Sequence, residues 1–191
     1  MTGSSDETLA ARAAAGDLAA FEDLVNRHRM SVYRLARSIT GTHDDADDAA
    51  QETFLRLYRS LSSYDPKRPF RPYLRRIAYN TSLNTVRKAK SRVGAVTVNE
   101  VPDIRDPAPN PHEMMETRDM EHHFHEALKG LSAELRGTFI LRASEGMSYR
   151  DIARTTGVRI GTVMSRLSRA RERILQHVQS AGAVTQRGNG S

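Results

Sequence analysis

With 191 residues, 38% of them apolar and 27% charged, the chain can build one large or two small helix-rich cores. It has no cysteine, which excludes disulfides, thiol redox sensing and cysteine-ligated zinc, and no apolar run approaching the roughly 20 residues of a membrane span. A net charge of +6 suggests a polyanionic partner, and the absence of a hydrophobic core in MTGSSDETLAARAAAG makes a cytoplasmic location the expectation.

Residues up to Ser5 read as disordered, with Asp6 placed to cap a short helix ending at Gly16 and Asp17 to cap the next. Leu18, Phe21, Leu24, Val25, His28, Val32, Leu35, Ala36 and Ile39 then recur at helical spacing until Gly41. His28 lies within that stripe, so packing suits it better than metal ligation. A third helix is expected to begin among Asp44, Asp45, Asp47 and Asp48, whose charge complements a helix N-terminus. Ala46, Ala50, Phe54, Leu57 and Leu61 form its inner face. Dipole capping leaves Asp48, Gln51 and Glu52 unexplained, because they lie further along.

The charges are segregated. Every charged side chain from Thr40 to Thr53 except His43 is acidic, whereas Lys67 to Arg92 holds nine cations and no carboxylate. An acidic helix followed by an acid-free basic one points to two different partners. Between them Pro66 and Pro69 forbid a continuous helix, and Pro72 fits the first turn of a fourth, with Leu74, Ile77, Ala78 and Val86 inward. Tyr64, Phe70, Tyr73, Tyr79, Asn80 and Asn84 interleave with the cations, which suits single-stranded nucleic acid. Phe70 and Tyr73 suit a core better than Tyr64, which sits in the loop.

Residues 91–112 lack a stripe and read as a flexible interdomain linker. Met114, Met115, Met120, Phe124, Leu128 and Leu131 can face a second core, and Ser132 can cap a helix running through Leu135, Phe139, Ile140 and Leu141 towards Gly146. His122, His123 and His125, with His112 nearby, do not converge on one point of a helix, so no metal site is expected. From Gly182 onward the chain reads as a disordered tail.

The stretch SYRDIARTTGVRIGTVMSRLSRARER, Ser148 to Arg173, reads as two helices around a tight turn. Ser148 and Asp151 make a start signal, and Gly157 suits the left-handed turn. Val163, Leu167, Ala170 and Ile174 share one face of the second helix, leaving Thr162, Ser165, Arg166 and Arg169 opposite. An apolar stripe beneath arginines and hydroxyls suits a helix that enters the major groove.

Asp47-Asp48-Ala49-Ala50-Gln51-Glu52-Thr53-Phe54 resembles the D-x-x-Q-E/D-x-F signature of bacterial sigma factors, and PFRPYLRRIAYNTSLNTVRK and GTVMSRLSRAR follow in the family's order. Order, linker and length resemble the extracytoplasmic-function type, which keeps only sigma regions 2 and 4. The resemblance implies an all-α fold of two helical domains: an N-terminal segment 1–16, region 2 over 17–90, the linker, region 4 over 113–180 and a tail over 181–191. It implies that Asp48, Gln51 and Glu52, supported by Phe54 and Leu55, meet the β′ clamp helices of core RNA polymerase. Tyr64, Lys67, Arg68 and Arg71 would flank a flipped minus-ten base, and Asn80, Asn84, Arg87 and Lys88 the displaced strand and upstream duplex. Arg159, Thr162, Met164, Ser165, Arg166 and Arg169 would read the minus-thirty-five duplex, while the same domain meets the β-flap tip. The resemblance also admits an anti-sigma factor as partner.

The chain departs from the family pattern at Tyr73, where many relatives carry tryptophan, at Met164 in place of the usual lysine, and at Arg159 in place of a serine-type cap. A stand-alone helix-turn-helix regulator or an RNA-binding protein would leave part of this pattern unused. With no Gly-rich phosphate loop, metal constellation or nucleophile–base pair, neither an enzyme nor a cofactor is expected.

Overall fold

The computed structural model describes residues 4–92 and 122–188, and all its regular elements are helical. Helices α1 (Asp6–Ala14), α2 (Leu18–Thr40), α3 (His43–Ser60) and α4 (Phe70–Arg92) form the N-terminal unit, with a 3-10 turn at Leu61–Ser63. Helix α5 (122–129), α6 (Ala133–Ala143), α7 (Tyr149–Thr156) and α8 (Ile160–Gly188) form the C-terminal one. The expected linker and the stripe positions Met114, Met115 and Met120 lie outside the described residues.

Short polar side chains set the helix starts. Ser5, Asp17, Thr42, Ser132 and Ser148 each accept a hydrogen bond from a backbone N–H three residues ahead. Ser5 rather than Asp6 therefore caps α1, and Thr42 caps α3, so the aspartates occupy its first turns. Gly41 ends α2 at φ +94°, a left-handed conformation that favours glycine.

The N-terminal core gathers Leu24, Val32, Leu35 and Ile39 of α2, Leu57 of α3, and Phe70, Leu74, Ala78, Tyr79 and Leu83 of α4. Leu18, expected inside, is 65% exposed, because it is the first residue of its helix and precedes the packed turns. On α3 the inner face is Ala46, Ala49, Thr53 and Leu57, a rotation that leaves Ala50 and Phe54 half-buried. A second cluster joins Ala127, Leu128, Leu131, Leu135, Ala170 and Ile174.

Three boundaries differ from the sequence expectations. Helix α1 buries Leu9, Ala10 and Ala13 against α2, so the N-terminal segment belongs to the first unit. Helix α4 runs to Arg92, two residues past the expected boundary. Helix α8 continues to Gly188 rather than dissolving at Gly182. No proline interrupts that stretch, and an internal glycine costs only about 1 kcal/mol.

The N-terminus of α4 is held from outside its own segment. Pro69 precedes Phe70, whose N–H donates to Glu7 Oε1 of α1 at 3.1 Å. Asp6 lies 3.0 Å from Nε2 of the buried His28 and within ion-pair reach of Arg27 and Arg71. The Phe70 amide, followed by Glu7's own, holds the Glu7 carboxyl below its ordinary value of 4.5. We expect Glu7→Ala to lower unfolding free energy by about 1 kcal/mol, read as a shift in urea midpoint. A carboxylate with a depressed folded pKa contributes fully above pH 4.5 and loses that contribution as pH falls through the folded value. The gap between wild type and variant therefore narrows on acidification below pH 4.5.

Candidate nucleic-acid interface

Helix α3 presents one polar–apolar face to solvent. Asp48, Gln51 and Leu55 are exposed and, at i, i+3 and i+7, share that face. Glu52 is half-buried, its Oε1 accepting from Arg56 Nε at 2.7 Å, and that hydrogen bond keeps its carboxyl below the usual range. Phe54 is half-buried against the core, a supporting position. Tyr58, absent from the sequence expectations, extends the apolar part of this surface. It is 49% exposed beside Leu55 at 52%, and it is held edge-on by Phe21 with centroids 5.0 Å apart.

The loop between α3 and α4 is built around Tyr64 and Asp65. Asp65 Oδ1 accepts from the Lys67 N–H at 3.0 Å, and its carbonyl accepts from the Arg68 N–H at 2.9 Å. That turn holds Lys67 and Arg68 out in solvent, with Arg71 exposed on the first turn of α4. Tyr64 departs from its expected place. Its ring is only 9% exposed, packs edge-on to Phe70 at 5.8 Å and lies 5.0 Å from Tyr73, and its hydroxyl donates to the Arg68 carbonyl. Burial pushes its phenol up to about 12. Tyr64 therefore fixes the loop from within rather than offering a free stacking surface. A ring flanked by two further aromatics was the signal for a cluster, and the loop prolines obscured it.

An open cleft of about 390 Å³ lies between α3 and α4, lined by Arg56, Arg59, Ser60, Tyr73, Arg76, Ile77 and Asn80. Tyr73 donates its hydroxyl to Ser60 Oγ at 2.7 Å, which fixes the ring as one wall. Of these residues the family resemblance assigns only Asn80 to nucleic acid, and the sequence pattern adds Tyr73 among the interleaved aromatics. Arg56 and Arg59 come from the preceding helix, and only the packing of α3 on α4 brings them to Asn80. Further along α4, Asn84 is half-buried while Arg87 and Lys88 are exposed.

In the C-terminal unit Ser148 Oγ accepts from the Asp151 N–H and lies 2.6 Å from the Asp151 carboxylate. Gly157 turns the chain at φ +71°, and Arg159 precedes α8. Val163, Leu167, Ala170 and Ile174 are buried beneath Thr162, Met164, Ser165 and Arg169, all exposed. Arg166 is half-buried, its charge acting on Tyr79 of α4. Phe124, expected in the core, is 36% exposed at the edge of α5. No three His, Cys, Asp or Glu side chains among the described residues gather as metal ligands.

Comparison with known proteins agrees with this arrangement. The family model for Sigma-70 region 2 matches residues 24–92, and that for Sigma-70 region 4 matches residues 122–174. The ECF RNA polymerase sigma factor SigE of Mycolicibacterium smegmatis is 36% identical over 90% of this chain and 68% of its own length. RNA polymerase sigma factor NccH of Alcaligenes xylosoxydans xylosoxydans is 33% identical over 93% of this chain and 97% of its own. Among solved structures, CnrH in complex with the cytosolic domain of CnrY superposes with a TM-score of 0.64 at 28% identity, covering 92% of this chain and 97% of that one. RpoE of Bartonella quintana in complex with the anti-sigma factor NepR gives 0.66 at 26%, covering 83% and 96%. Both regions in order, and relatives alike over nine-tenths of the chain, make this protein a member of the sigma-70 family of the extracytoplasmic-function type.

Proposed function

We propose that this chain is a transcription initiation factor that binds core RNA polymerase through α3 and directs it to promoters read by α4 and α8. The observation that supports this most directly is the exposed Asp48–Gln51–Leu55 face, set beside an acid-free basic helix and a separate groove-reading helix. A stand-alone regulator would leave the α3 face without a role. In this reading the chain performs no chemistry itself; the polymerase forms the phosphodiester bond in the cytoplasm.

Asp48 and Gln51, with Glu52 steadied by Arg56, meet the β′ clamp helices, while Leu55 and Tyr58 add apolar contact. The C-terminal unit meets the β-flap tip. Lys67, Arg68 and Arg71 hold backbone phosphates near the melted minus-ten element, with Asn84, Arg87 and Lys88 along the strand and upstream duplex. The α3–α4 cleft takes an unstacked base, with the Tyr73 ring as a wall and Asn80 able to donate and accept hydrogen bonds. Thr162, Met164, Ser165, Arg166 and Arg169, with Arg159 at the helix start, face the minus-thirty-five duplex. Met164 offers an apolar contact suited to a thymine methyl. The solved relatives CnrH and RpoE are in complex with the cytosolic domain of CnrY and with the anti-sigma factor NepR, and an anti-sigma factor is a further partner of this chain by that likeness.

Asp48→Ala with Gln51→Ala should abolish co-purification with core polymerase while leaving the thermal midpoint within error, since both side chains are solvent-exposed. Undiminished co-purification would remove the assignment of α3. Arg166→Ala or Arg169→Ala should weaken binding to upstream-element duplex and make the slope of log K against log salt shallower by about one for each phosphate no longer neutralised. Core binding should be retained in both variants.

A further inference from the structure

A second cleft, also of about 390 Å³, opens on the other side of α4, where that helix meets α1 and α2. Arg71, Leu74 and Arg75, at i, i+3 and i+4, share the face of α4 that lines it. Tyr73, Arg76, Ile77 and Asn80 of the α3–α4 cleft lie on the opposite face, so the two clefts have no lining residue in common. Arg27, His28 and Ser31 of α2 form the facing wall, and Asp6 of α1 bridges the two.

The arginines around this cleft are held in place. His28, 6% exposed, and Leu74, 2% exposed, are buried in its floor, and His28 is seated against the Phe70 ring with centroids 5.5 Å apart. Asp6 is taken up in fixing the cations. Its Oδ1 lies 3.3 Å from Arg27 Nη1, and its Oδ2 lies 3.0 Å from His28 Nε2 and 3.5 Å from Arg71 Nε. Arg27 Nη1 also donates to the Ser4 carbonyl at 2.6 Å, and Arg75 Nη2 is in ion-pair contact with Glu145. These contacts engage one nitrogen of each guanidinium and leave its other N–H donors for a ligand. Ser31 is solvent-exposed beside them. Three guanidinium groups face two carboxylates, Asp6 and Glu145, so, His28 apart, one positive charge is left unbalanced among the described residues.

We propose that this cleft is a sugar-phosphate site, in which Arg27, Arg71 and Arg75 grip the phosphate, Ser31 donates to one of its oxygens and Leu74 packs beneath the sugar. Guanidinium forks match phosphate oxygens and bind them through paired, charge-assisted hydrogen bonds. A phosphate carries about one to two negative charges, which the unbalanced guanidinium charge offsets. It fills only part of the volume, and the cleft falls within the roughly 300–1,000 Å³ of small-ligand sites. The remainder lies over an apolar side chain, which suits the carbon face of a sugar better than a second phosphate. A nucleotide of a single strand and a free sugar phosphate both offer this chemistry. The inference goes beyond the promoter reading and shares only Arg71 with it.

Two titrations of the full chain test the site and separate the two sources. One adds deoxyribose phosphate, with uncharged deoxyribose as control, and reads the heat of binding. The other adds fluorescein-labelled oligothymidine at several salt concentrations and reads anisotropy. Each is run on the parent, on Arg27→Gln and on Ser31→Asp, with far-UV circular dichroism confirming that the variants are folded. Ser31→Asp sets a carboxylate among the arginines and removes none of the contacts described above, so it decides the matter alone if Arg27→Gln unfolds. Saturable binding of deoxyribose phosphate, absent with deoxyribose and weakened about tenfold in the variants, assigns the site to a free ligand. Oligothymidine binding weakened about tenfold, with log K against log salt shallower by about 0.7, assigns it to a strand phosphate. Either result supports the proposal. Titrations that do not differ between parent and variants would overturn it, as would deoxyribose binding equal to that of its phosphate. Failure of the parent to support run-off transcription would remove the promoter reading and leave these titrations standing.

Discussion

A helix with seven cations and no carboxylate between Arg71 and Arg92 repels itself, and the rest of the structure is arranged around holding it. Phe70, Leu74, Ala78, Tyr79 and Leu83 anchor it by burial against α2 and α3. At roughly 1.5–3 kcal/mol for each large apolar side chain, that burial outweighs the repulsion between solvated charges spaced along a surface. Counter-charge comes from elsewhere in the chain: Asp6 and Glu7 from α1, Glu145 and Glu134 from the C-terminal unit. The helix keeps a cationic outer face available for a polyanion and owes its position to distant carboxylates.

This division explains how much was legible in the sequence. Local signals were clear, because they depend on spacing and on single side chains. The caps Asp17, Ser132 and Ser148, the turns at Gly41 and Gly157, and the buried stripe from Val163 to Ile174 all stand where periodicity and turn chemistry put them. The solvent exposure of Asp48 and Gln51 also follows from spacing alone. Features that depend on two distant segments were not legible. Helix α1 reads as a separate segment because nothing near Glu7 signals that it caps Phe70, 63 residues away.

Tyr64 shows the same limit within a single loop. A tyrosine between two serines and an Asp-Pro turn has the local character of an exposed residue. Its burial depends on Phe70 and Tyr73, which the turn folds back beneath it. In the proposed reading the nucleic-acid face therefore centres on the cleft between α3 and α4, where Arg56 and Arg59 stand with Asn80, rather than on the loop aromatic. The basic loop keeps its cations outward, since Asp65 orders the backbone beneath them.

The contact between the two units gives the fold a consequence for its function. In the proposed reading, promoter elements read by α4 and α8 are engaged together, and a linker supplies high effective concentration only when the units are free to separate. The central claim, that this chain gives core polymerase a start site, is tested most directly by run-off transcription. Purified core enzyme, with and without the protein, would be supplied with a randomised promoter library and the transcript starts sequenced. The account predicts protein-dependent starts that share one upstream duplex element and one melted element at a fixed spacing. Start sites identical to those of core enzyme alone would contradict it.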